Sequence, residues 1–233
     1  MQGGLHVLWD LESVLLDYWP AVEGAMRRTV DAHGDKGAAD QPLDWLLSVP
    51  LREALAVLLH SQDQAQLDAA EQTYQQQYAL HAHAEARLRP GAEALLDFTS
   101  QQKGVEAHWY THIGQQAVNR LIAEKSMSGR IRKVYTGDRC LCAGVRPQIL
   151  DVAQQAVAEY RPAHVLLVAE DPRELFLARR WGLSTLGLSY ARFSEHSVRR
   201  GGPQWMARNP AEVLHKLAGL AAALGHSPQQ RLH

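Results

Sequence analysis

The sequence lacks the cysteine content of a disulfide-stabilised secreted protein. Only two of its 233 residues are cysteines, Cys140 and Cys142, and a single residue separates them. This number and spacing exclude a disulfide framework, and one close pair without a second pair of ligands is a weak metal signal. We interpret both as ordinary loop thiols in a reducing compartment, and we expect a cytoplasmic protein.

The sequence also lacks an excess of charge of one sign and any long apolar run. Its 24 Lys and Arg residues balance 25 Asp and Glu residues, for a formal net charge of -1. This balance does not favour nucleic acid or an anionic membrane as a partner. The first apolar run, Leu5 to Trp9, breaks at Asp10, well short of a signal peptide or membrane span. We therefore expect no nucleic-acid partner and no membrane partner.

What the sequence has is the composition of a soluble globular chain. Apolar residues make up 46% and charged residues 21%, with 17 Gly and 10 Pro. At this length the chain has room for one core domain carrying a smaller insertion. The sequence leaves the oligomeric state open.

Short apolar runs alternate with helical segments along most of the chain. Runs typical of buried strands are Leu5 to Trp9, Val105 to Tyr110, Ile131 to Thr136, His164 to Ala169 and Ser184 to Leu188. Helical spacing or good helix formers cover Gly91 to Lys103, Gln115 to Ser126, Pro147 to Glu159, Pro172 to Trp181 and Pro210 to Leu224. This alternation predicts an α/β fold with a parallel sheet.

The segment between the first two strands has a different pattern. Residues 18–86 are helical throughout, with a Gln-rich polar middle and no strand candidate. They predict a helical insertion, so that the core domain consists of residues 1–17 and 87–225. Residues 226–233 form a polar tail.

Acidic side chains follow the predicted strands at their carboxyl ends, where parallel sheets bind ligands. Asp10 and Glu12 come after the first strand and Thr111 after the second. The fourth strand is followed by further acids, at Glu170, Asp171 and Glu174. Carboxylates gathered in one crevice would repel one another, so their convergence calls for a cation, and Mg²⁺ suits oxygen ligands that are completed by a phosphate.

The segments that carry these residues resemble the motifs of the haloacid dehalogenase (HAD) superfamily. Leu8 to Asp17, with the sequence LWDLESVLLD, resembles a first motif in which a strand ends in Asp-x-Asp-Gly-Thr-Leu. Trp109 to His112 resembles the second motif, a strand ending in Thr or Ser. Val145 to Pro147 resembles the third, a Lys or Arg followed by Pro, and Val168 to Glu174 resembles the acidic fourth motif.

This resemblance implies a Rossmannoid HAD-like core with a helical cap of the C1 type, similar to phosphoglycolate phosphatases. It also implies a Mg²⁺-dependent phosphatase acting on a small phosphorylated metabolite. Asp10 would be the nucleophile and Glu12 the general acid and base. Substrate-binding roles would fall to Thr111, His112 and Arg146. Metal ligands would come from Asp10, Glu12, Glu170, Asp171 and Glu174.

The sequence departs from the family pattern at four positions. Glu12 and Glu170 replace Asp, Ser13 replaces Gly and Val14 replaces Thr. Each Asp to Glu change moves a carboxylate by roughly 1 Å, a displacement that can cost about 10²-fold in rate. Two interpretations follow: an active phosphatase that retains its nucleophile, or a HAD-like protein that has lost turnover and acts as a binding or regulatory partner. Metal-free dehalogenation fits poorly, because the acids after the fourth strand would then lack a cation.

Overall fold

A computed structural model describes residues 4–34, 42–43, 45–46, 49–111, 114–131, 133–136, 157–158 and 160–225, apart from the side chain of residue 83. Its strands are β1 (Leu5–Asp10), β2 (Leu16–Asp17), β3 (Arg87–Leu88), β4 (Val105–Tyr110), β5 (Val134–Tyr135), β6 (Val165–Ala169), β7 (Ser184–Leu188) and β8 (Trp205–Ala207). Six of them form a sheet in the order β5-β4-β1-β6-β7-β8, while β2 and β3 form a separate two-stranded sheet. All neighbouring strands of the large sheet are parallel, which confirms the predicted α/β fold class.

Helices connect these strands. They are α1 (Leu11–Leu15), α2 (Trp19–His33), α3 (Leu51–Leu58), α4 (Gln64–Glu85), α5 (Ala92–Gln101), α6 (Gln115–Glu124), α7 (Pro172–Arg180), α8 (Glu195–Arg200) and α9 (Pro210–Gly225). No described helix is both long enough and apolar enough to cross a membrane.

The strand order reverses at β1. The chain runs from β1 to β4 and on to β5, then returns to the other side of β1 to add β6, β7 and β8. The carboxyl ends of β1, β4 and β6 therefore lie side by side at a topological switch point, which is where open parallel sheets bind ligands.

Buried side chains cover both faces of this sheet. On one face, Leu8 of β1, Tyr110 of β4 and Leu167 of β6 belong to the same core cluster as Leu175 and Ala178 of α7. On the other face, Trp9 and Trp109 are register partners and stack with ring centroids 5.0 Å apart. Each fully buried large apolar side chain stabilises the fold by about 1.5–3 kcal/mol, so the central strands are held firmly in place.

The chain folds into two compact units. The first comprises Met1–Leu16, Leu88–Gln115 and Lys125–His233, and it contains the large sheet. The second comprises Asp17–Arg87 and Gln116–Glu124 and has its own apolar core, which includes Met26, Leu55 and Leu67. Within it, the Arg28 guanidinium of α2 donates to both carboxylate oxygens of Glu85 in α4, at 2.8 and 3.1 Å.

Several predicted elements differ from the structure in extent. Strand β5 is confined to Val134–Tyr135, shorter than the predicted run from Ile131 to Thr136. The predicted helix from Pro147 to Glu159 falls almost wholly outside the described residues. The sequence analysis also missed the short elements α1, α8 and β8, each six residues or fewer, because runs of that length carry too little periodicity to recognise.

Candidate active site

Three side chains that the sequence analysis selected lie at adjacent strand ends. Asp10 is the last residue of β1, Thr111 directly follows β4 and Glu170 directly follows β6. All three are fully buried. Since neighbouring strands are about 4.8 Å apart, these residues share one edge of the sheet at the switch point.

Asp10 has one carboxylate oxygen that the described part of the protein leaves unsatisfied. Its Oδ1 caps α1 by accepting a long hydrogen bond, 3.5 Å, from the backbone N–H of Ser13. Its Oδ2 and the Ser13 hydroxyl are both buried and have no hydrogen-bond partner among the described residues. A buried polar group left in this condition costs about 1–3 kcal/mol. The pair therefore fits a polar or ionic ligand at the end of β1.

Glu12 and Thr111 contact each other directly. The Thr111 hydroxyl donates to Oε1 of Glu12 over 2.7 Å, and the Thr111 backbone N–H donates to the carbonyl of Tyr135 at 2.9 Å. Both side chains are buried. The proposed acid–base residue and the proposed phosphoryl-binding residue are thus hydrogen-bonded to one another across the junction of β1 and β4.

The three acids that follow β6 are fully buried, but their surroundings differ. Oε2 of Glu170 accepts from the backbone N–H groups of Arg192 and Phe193, the latter at 3.1 Å. Oε2 of Glu174 accepts from the Tyr110 hydroxyl at 2.9 Å. Their positions are therefore fixed by two different elements, the loop after β7 and the end of β4.

Asp171 instead caps α7. Its Oδ1 accepts from the Arg173 backbone N–H at 2.8 Å and from the Arg173 Nε at 3.2 Å, and its Oδ2 accepts from Nη2 of the same guanidinium at 2.8 Å. Both oxygens thus accept hydrogen bonds from the same neighbouring residue. This arrangement accounts for Asp171 as a helix cap without any metal.

Tyr190 is a residue of this edge that the sequence analysis missed. It lies two residues after β7, its hydroxyl donates to the Val14 carbonyl at 3.4 Å, and its ring faces the Arg89 guanidinium. Burial raises the pKa of Tyr190, Arg89 opposes that effect, and the negative charges of Glu170 and Asp10 add to it. The hydroxyl therefore stays protonated within electrostatic reach of both acids. Tyr190 follows the carboxyl end of β7, so the same rule that selected Asp10, that ligands bind beyond the carboxyl ends of parallel strands, could have predicted it.

Two predicted substrate-binding residues, His112 and Arg146, lie outside the described residues, as do Cys140 and Cys142. The five predicted acids of the site are buried near the same edge of the sheet, but among the described residues no three of them bring ligand oxygens within 4.8 Å of one another. A hard divalent cation prefers oxygen ligands, and the unsatisfied oxygen of Asp10 is consistent with one, but the other acids would have to move closer to share that ion.

Comparison with solved structures identifies the fold. The chain resembles a haloacid dehalogenase-like hydrolase from Streptococcus pneumoniae with a TM-score of 0.75 and 18% identity. A predicted phosphatase from Clostridium acetobutylicum gives 0.73 and 14%, and a predicted phosphoglycolate phosphatase from Haemophilus somnus gives 0.76 and 13%. In each case the match covers 93% of this chain and 99% of the other.

The predicted HAD-like fold is therefore confirmed. No protein-family model and no curated protein sequence matches the chain. At identities this low the structural likeness defines the fold, while the reaction has to be argued from the side chains of the site.

Proposed function

We propose that this protein is a Mg²⁺-dependent phosphatase that hydrolyses a small phosphate monoester through an aspartyl-phosphate intermediate on Asp10. The observation that carries the proposal is the position of Asp10. It ends the central strand at the switch point, and one buried oxygen has no partner among the described residues. The HAD-like hydrolases and phosphatases among the structural neighbours support the same reaction class.

In the first chemical step, a carboxylate oxygen of Asp10 attacks phosphorus while the ester P–O bond breaks. Protonated Glu12 gives its proton to the departing oxygen. In the second step, Glu12 takes a proton from water as the water oxygen attacks the aspartyl-phosphate. This step releases inorganic phosphate and restores both carboxyl groups, and the cycle consumes one water molecule.

The hydrogen bond from Thr111 gives Glu12 a defined orientation. The extra methylene of Glu12, relative to the Asp of the family motif, extends the carboxylate towards the Thr111 hydroxyl 2.7 Å away. In the proposed cycle this hydroxyl turns from Glu12 to a phosphoryl oxygen when substrate binds. His112 and Arg146 would complete the substrate contacts, as the resemblance implies.

The acids of the site would hold Mg²⁺, which supplies charge neutralisation for the phosphoryl oxygens when bound. Candidate ligands are Asp10, the backbone carbonyl of Glu12, and Glu170 with Asp171 or Glu174. We favour Glu174 over Asp171, because both oxygens of Asp171 already accept hydrogen bonds from Arg173. The site residues fit a hard cation in chemical type, and binding would draw their carboxylates closer together than they lie in the metal-free chain.

The remaining parts of the proposal follow from the sequence alone. Residues 1–17 and 87–225 would form the core, residues 18–86 the cap, and residues 226–233 a tail. A small phosphorylated metabolite is the proposed substrate, and the cytoplasm is the proposed location.

A second candidate function is that of a catalytically inactive binding or regulatory protein. The hydrogen bond between Thr111 and Glu12 favours this function. It engages the Thr111 hydroxyl that would bind the phosphoryl group and the Glu12 carboxylate that would transfer the proton. Such a protein would bind a phosphate mimic with Mg²⁺ and turn over no ester.

Steady-state hydrolysis of an aryl phosphate with and without Mg²⁺ separates the two functions. We expect Mg²⁺-dependent turnover in the wild type and background rates in Asp10→Asn, because the nucleophile is lost. The matched control is Glu93→Gln, an exposed acid at the start of α5, which should retain full activity. Equal rates in Asp10→Asn and the wild type would contradict the phosphatase proposal.

A further inference from the structure

Two histidines and a glutamate meet at the amino ends of β1 and β4, far from the candidate active site. His6 of β1 is the register partner of Glu106 in β4, and His108 lies two residues further along the same strand. Because side chains alternate between the two faces of a strand, all three residues project from the same face of the sheet. Their ligand atoms all lie within 4.8 Å of one another.

The spacing of these atoms matches that of ligands around one metal ion. Nδ1 of His6 and Nε2 of His108 are 3.4 Å apart. Nδ1 of His6 lies 3.7 Å from Oε2 of Glu106, and Nε2 of His108 lies 3.8 Å from Oε1 of the same carboxylate. Ligands of a tetrahedral zinc ion with bonds of about 2.0–2.1 Å are separated by about 3.4 Å. The two nitrogens already have this separation, whereas a single ligand oxygen of Glu106 would have to approach them from within 4.8 Å.

The imidazoles are buried and held in place by aromatic neighbours. The side chains of His108 and His6 are only 1% and 7% exposed. The His6 ring stacks on Tyr160 with centroids 3.5 Å apart, and Nδ1 of His108 lies 3.4 Å from the Tyr135 hydroxyl. Histidine ligands typically have the second ring nitrogen fixed by such a partner, which leaves the lone pair of the first directed at the metal.

The charges of the cluster also suit a metal. The two imidazoles offer nitrogen donors and Glu106 offers oxygen donors, which are ligand types that a divalent transition metal binds. Glu106 also forms an ion pair with Lys133. Lys133 is half exposed and has a flexible side chain. A carboxylate has two oxygens with about four lone-pair sites, so Glu106 can accept a hydrogen bond from Lys133 and bind a metal ion at the same time.

The cluster shares no ligand with the candidate active site. His6 and Asp10 both belong to β1 and are four residues apart, which corresponds to about 13 Å along an extended strand. A metal ion at one end of β1 would therefore be independent of Mg²⁺ at the other end.

We propose that His6, Glu106 and His108 form a binding site for a divalent transition-metal ion, with Zn²⁺ as the preferred ion. Two imidazoles and one carboxylate are a ligand set that zinc commonly takes in proteins, with a fourth position left for water. The partly exposed Glu106 side chain provides the route by which the ion enters. Bound metal would link β1 to β4 at their amino ends and stabilise the folded chain.

The test is calorimetric titration of the chelator-treated full chain with Zn²⁺, in saturating Mg²⁺ so that the carboxylates at the other strand end are occupied. We expect one equivalent of zinc per chain. Asp10→Asn should bind the same equivalent, since it changes only the other end of β1. His215→Gln, which removes an exposed histidine of α9, is the matched control and should leave the affinity unchanged.

Substitutions within the cluster and substitution of the neighbouring Lys133 should change the zinc affinity in opposite directions. Glu106→Gln, at a partly exposed position, should weaken zinc binding at least about 10-fold, and His108→Gln should do the same or more. Lys133→Met should strengthen binding at least about 3-fold, because it removes a positive charge beside the ion. If His108→Gln does not fold, Glu106→Gln and Lys133→Met decide the matter. A wild type that binds no zinc, or a Glu106→Gln variant that binds it as tightly as the wild type, would overturn the proposal and leave a hydrogen-bonded histidine pair.

Discussion

At the scale of single residues, the hydrogen bond between Thr111 and Glu12 gives a direct test of the candidate site. Thr111→Val keeps the shape of the side chain but removes a donor to a buried carboxylate, and we expect it to cost about 1–3 kcal/mol of unfolding free energy. Urea unfolding measures this loss.

The control for this variant is Thr99→Val in α5. Among the described residues the Thr99 hydroxyl donates to the helical carbonyls of Leu95 and Leu96, so its loss should change stability by less than about 0.5 kcal/mol. Equal losses at the two positions would mean that the contact between Thr111 and Glu12 contributes no more than a local helical hydrogen bond.

His108 predicts a pH dependence of stability in the chelator-treated protein. Its pKa is lowered from 6.5 to about 4, mainly by burial, with Glu106 opposing the shift and Lys133 and His6 adding to it. Between these two values the unfolded chain binds more protons than the folded chain, so stability is full above pH 6.5 and falls as the pH drops towards 4.

Comparison with His108→Gln isolates this contribution from that of other titrating groups. The difference in urea midpoint between the wild type and the variant should shrink as the pH falls through this range. A difference that does not change with pH would show that His108 titrates alike in the folded and unfolded chain.

At the scale of elements, we expect Asp171 to stabilise the fold by capping α7 rather than to bind a metal ion. Asp171→Ala removes the N-cap and should cost about 1 kcal/mol, with a range of about 0.5–2. Asp171→Asn keeps a good capping side chain and should retain most of that stability.

Turnover of the aryl phosphate distinguishes a cap from a metal ligand. Asp171→Asn should keep the Mg²⁺ dependence of the wild type, whereas Glu170→Gln should need more Mg²⁺ for half-maximal rate. An Asp171→Asn variant that folds normally and has lost its response to Mg²⁺ would make Asp171 a ligand.

Elements with a strong local signal could be predicted from the sequence, and elements defined by tertiary contacts could not. The strands Val105–Tyr110 and Ser184–Leu188 have the predicted bounds because their apolar runs end at polar or turn residues. The five-residue helix α1 was missed, since so short a helix carries too little periodicity and its start depends on the Asp10 cap. The two-residue strand β5 is fixed by pairing with Trp109 and Tyr110 rather than by its own pattern.

The candidate site shows the same limit. Asp10, Thr111 and Glu170 could be placed together because strand ends in a parallel sheet share an edge. The partners of their side chains could not be predicted, because contacts such as Thr111 with Glu12 span 99 residues of sequence. The histidine cluster was missed for a similar reason, since pairing of β1 with β4 brings together residues about 100 positions apart.

At the scale of the whole molecule, the proposed Mg²⁺ site predicts that the stability of the folded chain depends on magnesium. Asp10, Glu12, Glu170, Asp171 and Glu174 are all buried in the unit that holds the large sheet. Buried like charges repel one another, and this repulsion destabilises the metal-free folded chain. A metal ion that binds only the folded chain stabilises that chain, and the gain grows with the logarithm of the ion concentration divided by its dissociation constant. Magnesium should therefore raise the thermal unfolding midpoint of the wild type.

Asp10→Asn should be more stable than the wild type without Mg²⁺ and less stable than the wild type with it. Without Mg²⁺ the variant should unfold at a higher temperature than the wild type, because it removes one buried negative charge and Asn caps α1 as well as Asp does. With saturating Mg²⁺ the wild type should gain about 2.7 kcal/mol at 100 times its dissociation constant, while the variant gains much less. Thermal unfolding of both proteins over a Mg²⁺ series measures the crossing. A variant that is less stable than the wild type in chelator, or that gains as much from Mg²⁺, would show that Asp10 neither crowds the other acids nor helps to hold the ion.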